Sequence, residues 1–322
     1  MLFDFRSYIN ILRAIAIFSV VCAHVSTSGG GYFNILIGNM GTYGVGLFLF
    51  LSGYFFSFDK KGIKTFTVSK FKNIFLPWMV CGTLDWLYVV LRKGNINIES
   101  WCDSVFVHSH YYFLTVLMIL FFSLYYFRNH IRVLYVIFLL SLLSCFLTTK
   151  GLLDFIYIYI NPFNWAVFFV IGLIVGKYKL MDKIIHVSAM SLPYTSMLFL
   201  YYIVLIVWDC QSIKYWGNGN VIFGLAAIGV FMGLAYYLNR SISIVKRTLC
   251  YIGSVSFTIY LIHMPMAGIV SKLTKNIGVV SLQILAPFIV LFVVTSVVWL
   301  LLRLSRSLGV NAIVKLILGV RK

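Results

Sequence analysis

The sequence predicts an all-α polytopic membrane protein: about ten transmembrane helices in one bundle, with the N- and C-termini cytoplasmic. Three observations carry this. The 322 residues are 61% hydrophobic and only 11% charged, against about 45–50% and about 25% in a typical soluble domain. The mean hydropathy is +0.98. Apolar stretches recur along the whole chain with charged or glycine-rich breaks between them. At about 20 residues per helix plus connections, the length is used up by spans. Composition excludes an ordinary soluble enzyme, a disordered chain and a nucleic-acid-binding domain.

Spans are expected at 9–27, 40–58, 73–91, 110–127, 133–149, 160–176, 188–208, 220–238, 251–270 and 281–302. The fifth is short, which suits a tilted or partly re-entrant segment. Arg13 interrupts any signal-peptide core before Val21-Cys22-Ala23, so the first segment is expected as a retained span. No repeat, low-complexity tract or linker divides the chain, and residues 1–322 are expected as a single membrane-embedded domain. With the N-terminus inside, 20 of the 26 Lys and Arg fall in cytoplasmic segments and six (Arg92, Lys93, Lys150, Lys214, Lys272 and Lys275) fall outside. A span missed midway would reverse every later loop. The net charge of +18 therefore reads as topology. It also offers attraction to anionic lipid headgroups or a phosphorylated cosubstrate, and no nucleic-acid partner is expected.

The six cysteines, Cys22, Cys81, Cys102, Cys145, Cys210 and Cys250, form no C-x-x-C pair and mostly lie in or beside apolar segments. They read as small buried hydrophobes. The six histidines lack metal-ligand spacing, and no metal site is expected. Nor is there a G-x-S-x-G, Walker A, H-E-x-x-H or dinucleotide fingerprint.

Ionisable residues inside spans are costly, so each is a candidate for function. Arg13 and His24 lie eleven residues apart in the first span. On a helix that is about 20° past three full rotations and a rise of about 16 Å. They share one face, Arg13 toward the cytoplasmic mouth and His24 deep toward the outer half. Against this stand a snorkelling arginine and a helix-end histidine bonded to a carbonyl. In the ninth span Ser256, Tyr260 and His263 fall at i, i+4 and i+7, with Gly253 one turn earlier and Pro265 following. The competing reading is a polar seam between helices. Gly46 and Gly53 share a face of the second span, and Gly172 and Gly176 are spaced for close helix approach. In the basic loop after span two, Lys60, Lys61 and Lys64 read as topology. Lys70 and Lys72, against the third span, are better placed for an anionic ligand. Asp85 is an acidic side chain within a span, its partner open between Arg13 and another cation.

With these residues in place, the sequence resembles the acyltransferase-3 family of integral-membrane acyltransferases. The resemblance begins with Asn10-Ile11-Leu12-Arg13-Ala14-Ile15-Ala16 and His24, similar to the family's arginine and histidine eleven residues apart. It continues through Gly44-Val45, Phe48, Phe50 and Ser52-Gly53-Tyr54. Tyr111-Tyr112-Phe113-Leu114 resembles a Trp-Phe-Leu segment, and Phe169-Val170-Ile171-Gly172 through Gly176 a phenylalanine-rich span. Tyr251-Ile252-Gly253, Ser256, Tyr260-Leu261-Ile262-His263 and Pro265 complete it. The chain departs from the pattern in three places, at four residues. Asn10 stands where the family carries Asp, Lys70 and Asn73 where it carries paired arginines, and Tyr112 where it carries tryptophan.

The resemblance implies transfer of an acyl group, usually acetyl, from cytoplasmic acyl-CoA to a hydroxyl of a surface polysaccharide or lipid-linked sugar, such as an O-antigen or capsule. It implies a multi-pass protein of the bacterial cytoplasmic membrane. His24 and Arg13 take the catalytic roles, and Arg13, Lys70 and Lys72 the donor phosphates. Asn10, Ser52, Ser256, Tyr260 and His263 support them. A histidine titrating near neutral pH can take a proton from a sugar hydroxyl as it attacks a thioester, or can carry the acyl group itself; the residues leave both open. Two other classes compete: a polysaccharide transporter or flippase with no acyl-transfer chemistry, and a non-enzymatic relative.

Overall fold

The computed structural model describes residues 3–25, 38, 41, 43–93, 96–153, 157–208, 220–277 and 280–320. All regular structure among them is helical. In chain order the helices are α1 (Phe5–Val25), α2 (Gly44–Phe56), α3 (Ile63–Lys70), α4 (Leu76–Lys93), α5 (Ile98–Cys102), α6 (Tyr112–Ser123), α7 (Ile131–Thr149), α8 (Pro162–Lys177), α9 (Met181–Trp208), α10 (Asn220–Leu238), α11 (Ser243–Ser254), α12 (Ser256–Ile277), α13 (Val280–Ser307) and α14 (Asn311–Ile317). A wide π turn, Phe71–Phe75, joins α3 to α4, and another, Asp103–Val107, follows α5.

Among the described residues, five segments are long and apolar enough to cross a membrane: Phe5–Val25, Ile63–Leu91, Ile131–Thr149, Met181–Tyr201 and Ile284–Ser307. Two more qualify as bent pairs, Ile98–Val107 with Tyr112–Ser123 (70°) and Ser243–Ser254 with Ser256–Thr274 (81°). Gly44–Phe56, Pro162–Lys177 and Phe223–Leu238 are shorter apolar helices. Of the two readings of the fifth span, tilted or partly re-entrant, the second does not hold: α7 is an unbroken helix of 19 residues. The bends lie in the fourth and ninth spans instead. In the ninth, Val255 leaves the helical region (φ −109°, ψ 11°) and the Ser254 hydroxyl bonds back to the Tyr251 carbonyl at 2.7 Å. A Gly-Ser-Val-Ser run holds a helix weakly, because serine hydroxyls compete for the backbone and glycine has the most freedom to lose. Gly253 is therefore not one turn before Ser256 on a common face; the two stand on opposite arms of the bend.

Packing groups the chain into two compact units, Met1–Phe48 with Lys179–Val298, and Leu49–Tyr178 with Trp299–Lys322. In the first, α1 is the central helix: 72% of its span window is buried, against 22–33% for the other four. Its polar residues are thus set in protein rather than lipid. Asp4 caps it, accepting from the Arg6 and Ser7 backbone N–H groups at 3.1 and 3.3 Å and from the Ser7 hydroxyl at 2.5 Å. The Ser7 bonds hold this carboxyl below its ordinary range. The Tyr8 hydroxyl donates to the Met232 carbonyl (3.2 Å) and Asn239 Nδ2 to that of Asp4 (3.3 Å), a register that makes α10 antiparallel to α1. The Cys250 thiol reaches the Ser7 carbonyl at 3.7 Å, and a Cβ at Gly253 would fall on that of Asn10, so α11 runs parallel to α1. Gly44 packs on the Ala16 carbonyl, and the Ser19 hydroxyl bonds Gly41 at 3.3 Å, which makes the start of α2 antiparallel.

In the second unit α2 and α8 cross through glycine on both sides. A Cβ at Gly53 would overlap the Phe169 carbonyl oxygen, and one at Gly172 that of Phe50; Gly176 lies against the Tyr54 carbonyl and the Ser57 side chain. The backbones touch directly, the close approach that small residues permit. The α7–α8 hairpin is held by fully buried Asn164. Its Oδ1 accepts from Ser144 (2.7 Å) and Thr148 (3.1 Å), and its Nδ2 donates to the Ile158 carbonyl (3.1 Å). Asn164→Ala leaves those hydroxyls without this acceptor. It is expected to cost about 1–3 kcal/mol, seen as a lower thermal midpoint of the purified protein; an unchanged midpoint would contradict the clasp.

Candidate active site

His24 stands in the last turn of α1, and because that helix is unbroken, the shared face with Arg13 holds, with a rise of about 16 Å between them. Both are half-buried. On α12, Ser256, Tyr260 and His263 are all buried, His263 completely. The rings of His24 and His263 lie 5.2 Å apart between centroids, tilted by 53°. The structure thus brings together the two histidines that the sequence leaves 239 positions apart.

His263 Nδ1 lies 2.7 Å from the Tyr260 carbonyl oxygen. A carbonyl only accepts, so Nδ1 carries the hydrogen, and in the neutral ring Nε2 keeps the lone pair. Within α12 the Tyr260 and His263 rings are 5.9 Å apart. This end of the first unit thus sets two imidazoles against each other, with Tyr260 and Ser256 on the helix face that carries His263. Asn10 lies about 21 Å along the helix from His24, at the crossing where its carbonyl meets Gly253; it is remote from the histidine pair.

Ser52, Lys70 and Lys72 belong to the second unit. Lys70 ends α3 with its ammonium 3.5 Å over the Phe121 ring and 5.0 Å from that of Phe66, so its charge already faces aromatic π-clouds. Lys72 is exposed on the π turn, and Ser52 is half-buried in α2. Asp85 accepts a hydrogen bond from the Tyr111 hydroxyl at 2.6 Å. That supplies the polar partner left open in the sequence, with a neutral phenol where a cation was considered. Nothing in the sequence points to it beyond an acid in an apolar span, since Tyr111 follows 26 residues later.

A family model described as an acyltransferase domain, the acyltransferase-3 type, matches residues 6–303, nearly the whole chain. The protein belongs to this family of acyltransferases. Searches of curated proteins and of solved structures find no match.

Proposed function

We propose that this acyltransferase is a membrane O-acetyltransferase of the bacterial cytoplasmic membrane. It moves the acetyl group of cytoplasmic acetyl-CoA to a hydroxyl of a surface polysaccharide, or of its lipid-linked precursor, within a single acyltransferase domain. The observation that carries the reading is the His24–His263 pair at one end of a buried helix whose same face bears Arg13. A ten-pass topology with cytoplasmic termini goes with it. It is supported by the cation distribution and by the directions of touching helices: in the first unit α10 antiparallel and α11 parallel to α1, in the second α2 parallel to α8, each as alternating passes require.

In this reading His24 takes the proton of the acceptor hydroxyl while its oxygen forms a bond to the thioester carbonyl carbon. The tetrahedral intermediate collapses with loss of the C–S bond, and the CoA thiolate leaves, receiving a proton as free thiol. His263 is a positioning residue: its Nδ1–H, fixed on Tyr260, sets which face it turns to His24. Arg13 anchors the donor, since an extended pantetheine arm covers the rise to His24. Lys72, exposed on the π turn of the second unit, offers a cation to an anionic ligand.

His263→Ala is expected to lower kcat about 10²-fold, the cost of misplacing a reacting group by about 1 Å, and to alter the pH profile of kcat, with the KM for acetyl-CoA little changed. An unchanged pH profile would remove it from the site. Sidedness is tested by thiol release in sealed vesicles of known orientation. Release that needs acetyl-CoA on the cytoplasmic face supports the proposal; release only from the outer face contradicts it. A transporter would show neither, and its loss would stop glycan export rather than modification.

A further inference from the structure

The segments before α6 and between α7 and α8 come together in the second unit through a file of aromatic rings. His108 lies 4.4 Å from Tyr157 between ring centroids, Tyr157 is 5.5 Å from Tyr159, Tyr159 is 5.1 Å from Tyr112, and Tyr112 is 5.7 Å from Trp165. The file runs inward. The side chains of His108 and Asp103 are 55% and 48% exposed and Tyr157 is 37% exposed, whereas Trp165 is 1% exposed. Its inner end is pinned: the Trp165 indole donates to the Tyr159 carbonyl at 2.9 Å. At its mouth the Asp103 carboxylate is bonded to His108 Nδ1.

We propose that the mouth of this file, Tyr157 and His108 with the Asp103 carboxylate beside them, is a binding site for a neutral sugar ring of the acceptor glycan. This rests on the proposed function for the identity of the glycan and for placing both segments on the outer side. A pyranose is amphipathic, with C–H faces that pack on an aromatic ring and hydroxyls at its edge that need acceptors and donors. Tyr157 and His108 offer the ring faces and Asp103 the acceptor. Burial, then Tyr159 and Asp103, raise the Tyr157 phenol above its ordinary value, so it remains a donor at neutral pH. Charge selects the ligand class. The charge shown at the mouth is the Asp103 carboxylate beside His108, which disfavours an anion. A belt of aromatic rings at the lipid interface gains nothing from a carboxylate beside it, which anionic headgroups would repel.

The test is saturation-transfer NMR with the full-length protein in nanodiscs and, as probe, oligosaccharide released by mild acid from the producing cell's surface glycan. Wild type should transfer saturation to the sugar C–H protons, and Tyr157→Phe, which keeps the ring face and loses the donor, should do so more weakly. Tyr157→Ala and Asp103→Asn should bind at least tenfold more weakly. No signal with wild type, or equal affinity in Tyr157→Ala, overturns the site. The acyl-transfer assay separates the two readings. Binding without transfer keeps the sugar site and defeats the enzymatic proposal, while transfer with an unchanged acceptor KM in Tyr157→Ala keeps the enzyme and defeats the site.

Discussion

His24→Ala is expected to reduce acyl transfer by about 10²–10⁴-fold, the range that a positioned general base supplies, with little change in the amount of folded protein. The side chain is half-buried at the end of α1, and the helix is fixed by residues on its other faces: Tyr8, Ile11 and Leu12 are all fully buried. Removing the imidazole therefore removes chemistry more than packing. His24→Gln should behave alike, because an amide cannot take up the proton. The two routes open to His24 differ in one observable. An acyl-histidine would trap label on the protein from acetyl-CoA alone, whereas a general base needs the acceptor before the thiol is released. Full activity in both variants would take His24 out of the mechanism.

Gly172→Leu is expected to prevent the second unit from packing, at a cost of about 3 kcal/mol or more. The added Cβ would overlap the Phe50 carbonyl oxygen, a backbone atom that cannot swing aside as a flexible side chain does. Gly53→Leu meets the Phe169 carbonyl in the same way and should be as severe. Loss of monodisperse protein on size exclusion and a collapsed thermal midpoint are the expected readouts. Gly62→Leu, where an added Cβ meets nothing within 4 Å, is the control. A normal midpoint for Gly172→Leu would mean that α2 and α8 do not touch as described.

These glycines also show how much of the molecule the sequence reveals. Each of the two patterns, Gly46 with Gly53 and Gly172 with Gly176, reads as a face for close packing, and neither is specific alone. In the structure Gly53 and Gly172 lie at one crossing, each against the other's helix. The long helices are legible because lipid demands long apolar runs: each expected span overlaps a helix, while α3 and α5 fall between spans. Five segments, or seven with the bent pairs, are long and apolar enough to cross among the described residues. Residues 26 and 27 of the first expected span and 40 and 42 of the second lie outside the described residues. What periodicity along one helix cannot report is which faces meet. The His24–His263 contact, the Asp85–Tyr111 bond and the Asn164 clasp each join distant parts of the chain. The bend at Val255 is likewise a local weakness set inside an apolar stretch, where a hydropathy pattern reads straight through.

The central claim is that the stripe ending at His24 and His263 transfers an acyl group to a glycan. It is tested most directly by incubating the purified protein in nanodiscs with radiolabelled acetyl-CoA and the producing cell's surface glycan. The readout is alkali-labile label in the polysaccharide. Label formed by wild type and absent with His24→Ala is the predicted result. Equal label in both, or none with wild type while cells lacking the protein fail to export the glycan, would contradict it.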